Sequence, residues 1–370
     1  MNTALPAIRI PVYRPELSGN EMAYVQQCLE STWISSKGEF IDRFQSDFAR
    51  FIGAQHVVAV TNGTVALHLA LLGVGIGPGD EVIVPSLTYV AAVNAIRYVG
   101  ATPVFSDADA QTWQIDPAHV ARLITPRTRA ILAVHTYGQA SDLAALGALC
   151  RKHCLRLIED CAEAFGTRIG DRHVGTFGDV ATFSFFGNKT VTTGEGGMVV
   201  SRDAQVHALI CKLRGQGLAG EKEYWHDVVG YNYRITNICA SIGVAQMERA
   251  TELIARKRSL AEKMRTAMAD LPLTFHLEQP GTTHSFWMIS ALAKSEAERD
   301  GLRKSLRLEG IETRPVFHPA HTLPMYAARQ TGLDVSVDLA ARGLNLPSWP
   351  GLTDAEVAEI AEACRRYYRG

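Results

Sequence analysis

The run Thr182-Phe-Ser-Phe-Phe-Gly-Asn-Lys189-Thr-Val-Thr-Thr-Gly-Glu-Gly-Gly197 sets the architecture expected of this chain. Its first part belongs to an apolar, β-prone stretch, Val180 to Phe186, that ends at Gly187. A glycine-rich passage then leads into a second apolar run, Met198 to Val200. Continuous apolar strands of this kind are those buried on both faces, as in a parallel sheet covered by helices. Lys189 stands just beyond the strand end, where partial desolvation lowers a lysine pKa and raises the population of neutral amine. A neutral amine is the species that attacks a carbonyl to form a Schiff base. The competing reading, a solvated lysine on a turn, is the stronger one for the lysine taken alone.

Outward from this run, short apolar stretches alternate with helix-length amphipathic ones. His56–Val60, Glu81–Val84, Thr102–Phe105, Ala130–Val134 and Leu155–Ile158 read as strands. Val65–Leu72, Val90–Val99 and Asp142–His153 read as the helices between them. That alternation predicts an α/β unit with a largely parallel sheet, reaching to about residue 245. Ser18 and Glu21 have the spacing of a capping box that would open an N-terminal helix. Met247–Leu271 is a long charged helix pattern placed to bridge two units. Apolar runs at Phe286–Leu292 and Thr313–Phe317, with helices over Ala297–Glu309 and Asp354–Tyr368, predict a smaller α+β domain. The expected division is therefore 1–245 and 246–370, consistent with a 370-residue chain exceeding one core.

Lys plus Arg total 37 against 38 for Asp plus Glu, which argues against a broad nucleic-acid footprint and leaves room for a local phosphate pocket. No apolar stretch is long enough for a bilayer, and the first residues show no export signal. The seven cysteines are odd in number and sit in apolar contexts, so they read as reduced core thiols in a cytoplasmic protein. Cys150 and Cys154 lack a second ligand pair, and the prolines around His318 and His321 disfavour a ligand-bearing helix; no metal site is expected. The alternating glycines before Gly79 follow a helix and precede a strand, the reverse of a dinucleotide fingerprint, so they read as a turn.

Other segments converge with Lys189. Val60-Thr-Asn-Gly63-Thr64 joins a strand to a helix start, where free amides suit a phosphate; a plain capped turn is the competing reading. Leu157-Ile-Glu159-Asp160-Cys-Ala-Glu163 places carboxylates at the carboxyl end of a buried strand, the edge at which ligands of open α/β sheets gather. Against that stands a helix-capping Asp160. Pro85-Ser-Leu-Thr-Tyr89 puts an aromatic ring after another strand end, where it also reads as an ordinary core or surface tyrosine. Together they supply a phosphate cradle, an aromatic platform, a buried acid and a nucleophilic lysine, the set that pyridoxal 5′-phosphate (PLP) needs. Asp160 would pair with the pyridine nitrogen and keep it protonated, Tyr89 would stack on the ring, and Ser184 would add a phosphate hydrogen bond.

On these segments, with Gly230-Tyr-Asn-Tyr-Arg234 and Leu344-Asn-Leu-Pro-Ser348, the chain resembles the DegT/DnrJ/EryC1/StrS family of PLP-dependent sugar aminotransferases almost end to end. The resemblance implies the aspartate-aminotransferase fold (fold type I), with a mostly parallel seven-stranded sheet and a smaller C-terminal domain. It implies Lys189 as the catalytic residue, and Gly63, Thr64, Tyr89, Asp160, Glu163, Ser184 and Asn232 as further cofactor contacts. Asn232 resembles the residue that reaches the cofactor phosphate of a neighbouring subunit, so a homodimer or homotetramer with shared sites is implied. Ser31–Gly38, Lys212–Leu218, Tyr224–Asp227 and Glu312–Phe317 resemble members acting on GDP-4-keto-6-deoxy-D-mannose, with L-glutamate as amino donor. Trp225, Arg234, Arg314 and His318 are the candidate nucleotide-sugar contacts by motif position.

Two consequences follow from the resemblance. Freed Lys189 would carry a proton between cofactor C4′ and the sugar carbon, in a two-half cycle with ping-pong kinetics. Glu163 stands where many relatives carry glutamine, near the cofactor's 3′-oxygen, so a shared proton is expected there. Other readings are an aminotransferase for a UDP- or dTDP-linked keto sugar, a sugar dehydratase in which histidine replaces the lysine, and a noncatalytic regulator. Lys189 argues against the dehydratase, and Lys189 with Asp160 against the regulator.

Overall fold

The computed structural model describes residues 6–220, 222–327 and 331–370. Across its seven-stranded sheet lie His56–Val60, Gly197–Ser201, Val180–Ser184, Arg156–Asp160, Thr128–Val134, Glu81–Pro85 and Thr102–Ser106, in that order. The five from Val180–Ser184 to Thr102–Ser106 run parallel, whereas Gly197–Ser201 is antiparallel to both its neighbours. The sheet is thus the mostly parallel one expected.

Every residue of Val180–Ser184 is buried because the strand has a core on each face. Side chains alternate along a strand, so Ala181 and Phe183 join the core of Phe44, Phe48 and Met247, while Val180 joins that of Leu67, Leu71 and Val93. The helix Glu39–Ile52 covers the first face through Phe40, Phe44, Phe48 and Ile52, four residues apart and all buried. Phe48 meets Phe183 edge-on at 4.9 Å and Phe185 at 5.7 Å. Burying one such ring contributes about 2–3 kcal/mol.

A second, antiparallel sheet runs Thr274–Phe275, Ile289–Leu292, Gly343–Leu346, Arg314–Pro315 across its width. Its core contains Leu302, Leu306, Ile360 and Cys364, and also Ile10 from the other end of the chain, which bridges to Ile311. The helix Ala250–Ala267 serves both cores: Ala250, Leu253 and Ile254 enter the first, Leu260, Ala261 and Met264 the second. Lys257 lies between these two sets and is completely buried.

Several local expectations need correction. The helix Glu21–Ser31 has Asn20 at its N-cap without a side-chain cap. Glu21 instead accepts the Gly19 N–H at 2.8 Å, and Ser18 donates to Glu16. Ser18 sits too far ahead of the first turn to cap it; the capping box is at Thr353 and Glu356. The pattern over Met247–Leu271 is broken at Arg249, separating the helices Asn237–Glu248 and Ala250–Ala267. The apolar run from Phe286 becomes a strand only at Ile289, because Phe286 takes a left-handed φ of 48°. In the run Thr313–Phe317 only Arg314–Pro315 pairs. Cys154 is exposed rather than in the core. No helix among the described residues is long and apolar enough to cross a membrane.

Candidate active site

Parallel pairing brings the chemistry to one edge. Asp160 lies opposite Thr182 in the sheet, and Ser184 and Val60 both lie opposite Gly197, so the three strand ends are neighbours. Beyond Val60 the chain enters the helix Gly63–Gly73, capped by Asn62, whose side chain accepts the Val65 N–H at 3.0 Å. The helix start is seated directly on the sheet: a Cβ on Gly63 would lie 2.8 Å from the Ser184 Cβ. Among the described residues the Gly63 and Thr64 amides have no hydrogen-bond partner, and with the helix dipole they present a cradle for an anion.

These residues open onto a cavity of about 560 Å³ lined by Gly63, Thr64, Tyr89, Asp160, Glu163, Ser184 and Lys189. All of the expected cofactor contacts except Asn232 therefore meet in one place. Tyr89 is 57 % exposed at the rim, tilted against Phe317 at 5.5 Å.

The two adjacent carboxylates separate by face. Glu159 points into the filled core, where it accepts the amides of Gly175, Phe177 and Gly178 at 2.7, 2.8 and 2.6 Å. It also accepts His135 Nε2 at 3.2 Å. The His135 Nδ1 accepts the Ser141 N–H at 3.0 Å, which fixes Nε2 as the protonated nitrogen. Cys161 lies near this pair, but their lone pairs already serve N–H donors. Asp160 points into the cavity instead and accepts one amide, Ala162 N–H, at 3.0 Å. No helix starts there; the turn after the strand leads to the short pairs Arg168–Ile169 and Arg172–His173, so the capping role is absent. Burial pushes the Asp160 carboxyl up, opposed by the Ala162 N–H, Lys189 and His135.

Lys189 lies below the protein surface while keeping part of its side chain open to the cavity. Burial pushes its ammonium below the ordinary lysine value, and the nearby Glu163 and Asp160 pull the other way. The solvated-turn reading fails. Glu163 is raised to about 7, first by burial and then by Asp160, against Lys189 and the Tyr137 N–H. That amide reaches Glu163 at 2.8 Å because Tyr137 adopts the left-handed region at φ 59°. One oxygen of Glu163 is thus held by the backbone.

Sequence reasoning missed the second wall. The Trp287 ring lies under Lys189, its centroid 3.8 Å from Nζ, and its Nε1–H donates to the Asn188 carbonyl at 2.8 Å. Tyr13, from the other end of the chain, donates its hydroxyl to the Lys189 carbonyl at 2.7 Å. The apolar run containing Trp287 was legible, but nothing in it marked one ring for this position.

The remaining predicted residues do not line the cavity. The Asn232 side-chain oxygen Oδ1 accepts an N–H of the Arg234 guanidinium at 3.1 Å. Arg314 pairs with Glu312 at 2.6 Å. Trp225 is half exposed with the Lys222 ammonium 4.3 Å above its ring, and His318 is exposed.

The donor set suits a phosphorylated pyridine aldehyde. The helix start offers amides to a phosphate, Asp160 offers a carboxylate to a ring nitrogen, and Lys189 offers an amine, with Gly63 too closely packed for any side chain. Residues 15–365 match the model of the DegT/DnrJ/EryC1/StrS aminotransferase family. The chain is 52 % identical to a GDP-perosamine synthase of Vibrio cholerae, over 97 % of this chain and 99 % of that one. It is 51 % identical to a GDP-perosamine synthase of Escherichia coli O157:H7, over 97 % and 98 %. Among solved structures, the aminotransferase TlmJ from Streptoalloteichus hindustanus superposes with a TM-score of 0.93 at 32 % identity, covering 97 % of this chain and 99 % of that one. The chain belongs to the DegT/DnrJ/EryC1/StrS aminotransferase family and is a PLP-dependent aminotransferase.

Proposed function

We propose that this enzyme transfers the amino group of L-glutamate to C4 of GDP-4-keto-6-deoxy-D-mannose, giving GDP-perosamine for a polysaccharide such as O-antigen. The observation that carries the reading is the meeting of Lys189, Asp160 and Glu163 in one cavity beneath a helix start, in a chain alike over nearly its full length to two GDP-perosamine synthases.

PLP, when bound, supplies an electron sink for the carbon that gains or loses a proton. The chain's residues do the rest. The Gly63 and Thr64 amides and the Ser184 hydroxyl hold the phosphate, and Tyr89 covers the ring. Asp160, whose second oxygen has no partner among the described residues, keeps the pyridine nitrogen protonated. Lys189 would anchor the cofactor and, as a free amine, move the proton between cofactor C4′ and sugar C4; burial, which pushes its ammonium below the ordinary lysine value, would ease release of that proton. Glu163 shares a proton with the cofactor's 3′-oxygen, which its value of about 7 favours.

Asn232 belongs to the same reading as a contact to the neighbouring subunit's phosphate, in a homodimer or homotetramer; its exposure away from its own cavity supports this. Trp225, Arg234, Arg314 and His318 are the nucleotide-sugar contacts, with the arginines pairing to the diphosphate. The division into domains 1–245 and 246–370 and a cytoplasmic location complete the proposal. The test is product analysis with GDP-4-keto-6-deoxymannose and glutamate, alongside Lys189→Ala. Amino sugar from the parent alone is expected. No amino sugar from the parent sinks the substrate, and unchanged turnover in the variant sinks the mechanism.

A further inference from the structure

Trp287 is fixed on several sides. Its indole N–H donates to Asn188, its carbonyl accepts Lys257 Nζ at 2.9 Å, and its ring stacks on Tyr137 at 6.1 Å and 9°. The chain reaches it through left-handed Phe286, so the backbone is bent to present this ring. Lys257 binds Ser348 as well, through both its carbonyl and its hydroxyl, so Trp287 is tied to the strand region that follows Leu346. All of this rigidity is directed at one atom, the Nζ of Lys189, 3.8 Å from the ring centroid.

We propose that Trp287 is the resting platform of the catalytic amine: its π-face holds the free Lys189 Nζ over the cavity whenever that nitrogen is not bonded to the cofactor. The inference rests on the aminotransferase reading, in which Lys189 is freed in every cycle and must then deliver a proton. A free lysine side chain, with its flexible four-carbon stem, samples many rotamers that carry the amine away from the reacting atoms. An aromatic face in a desolvated site attracts an ammonium through its quadrupole strongly enough to offset that freedom. The platform also favours the charged form, adding to the carboxylates Asp160 and Glu163. The other titratable groups that line the cavity are Glu195, Tyr89 and Tyr98.

The test reads the amine directly. Cofactor-free, full-length protein is acetylated with acetic anhydride across a pH series, and modification of the Lys189 peptide is followed by mass spectrometry. Trp287→Leu is expected to lower the apparent pKa of Lys189 by about one unit. Trp287→Phe, which keeps a weaker π-face, is expected to recover part of the shift. In the loaded enzyme Trp287→Leu is expected to lower kcat about tenfold with KM little changed, the mark of a group that acts on the proton transfer. A leucine variant with the parent's melting temperature and the parent's Lys189 titration overturns the proposal. Trp287→Met makes the same comparison if the leucine variant does not fold. The acetylation profile needs no sugar and no glutamate. A shifted titration in a protein that makes no amino sugar would keep the platform and remove the reading above it.

Discussion

Two lysines withdrawn from bulk solvent are opposites: Lys189 is half-buried at the cavity and Lys257 is completely buried. Lys189 faces a cavity with two carboxylates and an aromatic ring nearby, and its nitrogen makes no hydrogen bond among the described residues. Lys257 lies in the seam between the two cores, with its nitrogen surrounded by the Trp287 carbonyl and by the carbonyl and hydroxyl of Ser348. Burial lowers both pKa values. Desolvation therefore does not by itself make a lysine reactive. Three oxygen partners match the three N–H bonds of an ammonium and leave Lys257 nothing to attack with. Lys189 has space in front of it and charge partners at a distance. The same physics gives a clamp in one place and, in the role proposed for Lys189, an available amine in the other; the difference is whether the hydrogen bonds are already satisfied.

Exchanging each lysine for alanine should give opposite results. Lys189→Ala should lower kcat/KM by at least about 10³-fold, since both the anchor and the proton carrier are gone. Its stability should stay within about 1 kcal/mol of the parent, because no satisfied hydrogen bond is broken. Lys257→Ala should cost about 3 kcal/mol of stability by leaving a cavity and orphaned buried oxygens. Its folded fraction should keep activity within about tenfold of the parent. Calorimetry and steady-state rates on the same preparations decide the matter. An alanine at 257 that abolishes turnover while melting with the parent would make the clamp a participant.

The neighbouring carboxylates Asp160 and Glu159 repeat the contrast one residue apart, with smaller effects. Asp160→Asn should reduce turnover about a hundredfold, the scale for removing one preorganised charge, with little change in melting. Glu159→Gln places an amide N–H₂ among the Gly175, Phe177 and Gly178 donors and should cost about 2 kcal/mol of stability. Similar activity losses in both variants would mean that the two faces of the strand are not separate in function.

This contrast shows where sequence reading succeeds and where it stops. Asp160, Ser184 and Lys189 were legible because each ends or follows an apolar strand, and parallel sheets collect ligands at that edge. Gly63 was legible because a strand-to-helix turn with glycine permits close approach. Asp160 was singled out from its neighbour Glu159 in the sequence, but the partners of Glu159, three backbone amides and His135, come from segments that no local pattern joins to it. Lys257 stands between Arg256 and Arg258 on a charged helix pattern, and nothing local betrays that it alone turns into the seam. Trp287 and Tyr13 reach Lys189 only through packing between distant segments, which no local periodicity encodes. The break at Arg249 was hidden because charged, helix-favouring residues flank it on both sides.

The finest version of the comparison concerns Glu163, a carboxyl whose charge the cavity leaves undecided. Its folded-state value of about 7 lies above the ordinary 4.5. Between those values the folded protein holds a proton that the unfolded chain has released, so this group's contribution to stability falls as pH rises through that window. The cost at high pH is about 3 kcal/mol at most. Glutamine has no proton to lose and still offers an oxygen to the Tyr137 N–H. Denaturant melts of cofactor-free parent and Glu163→Gln should therefore separate with pH: alike near pH 4.5, with the variant gaining on the parent up to about pH 7 and level beyond. In the loaded enzyme the same variant should shift the pH titration of cofactor absorbance, because the proton shared with the 3′-oxygen then belongs to the cofactor alone. A constant stability difference across pH 4.5 to 8, with matching absorbance titrations, would place Glu163 with Glu159 as a charge held for structure.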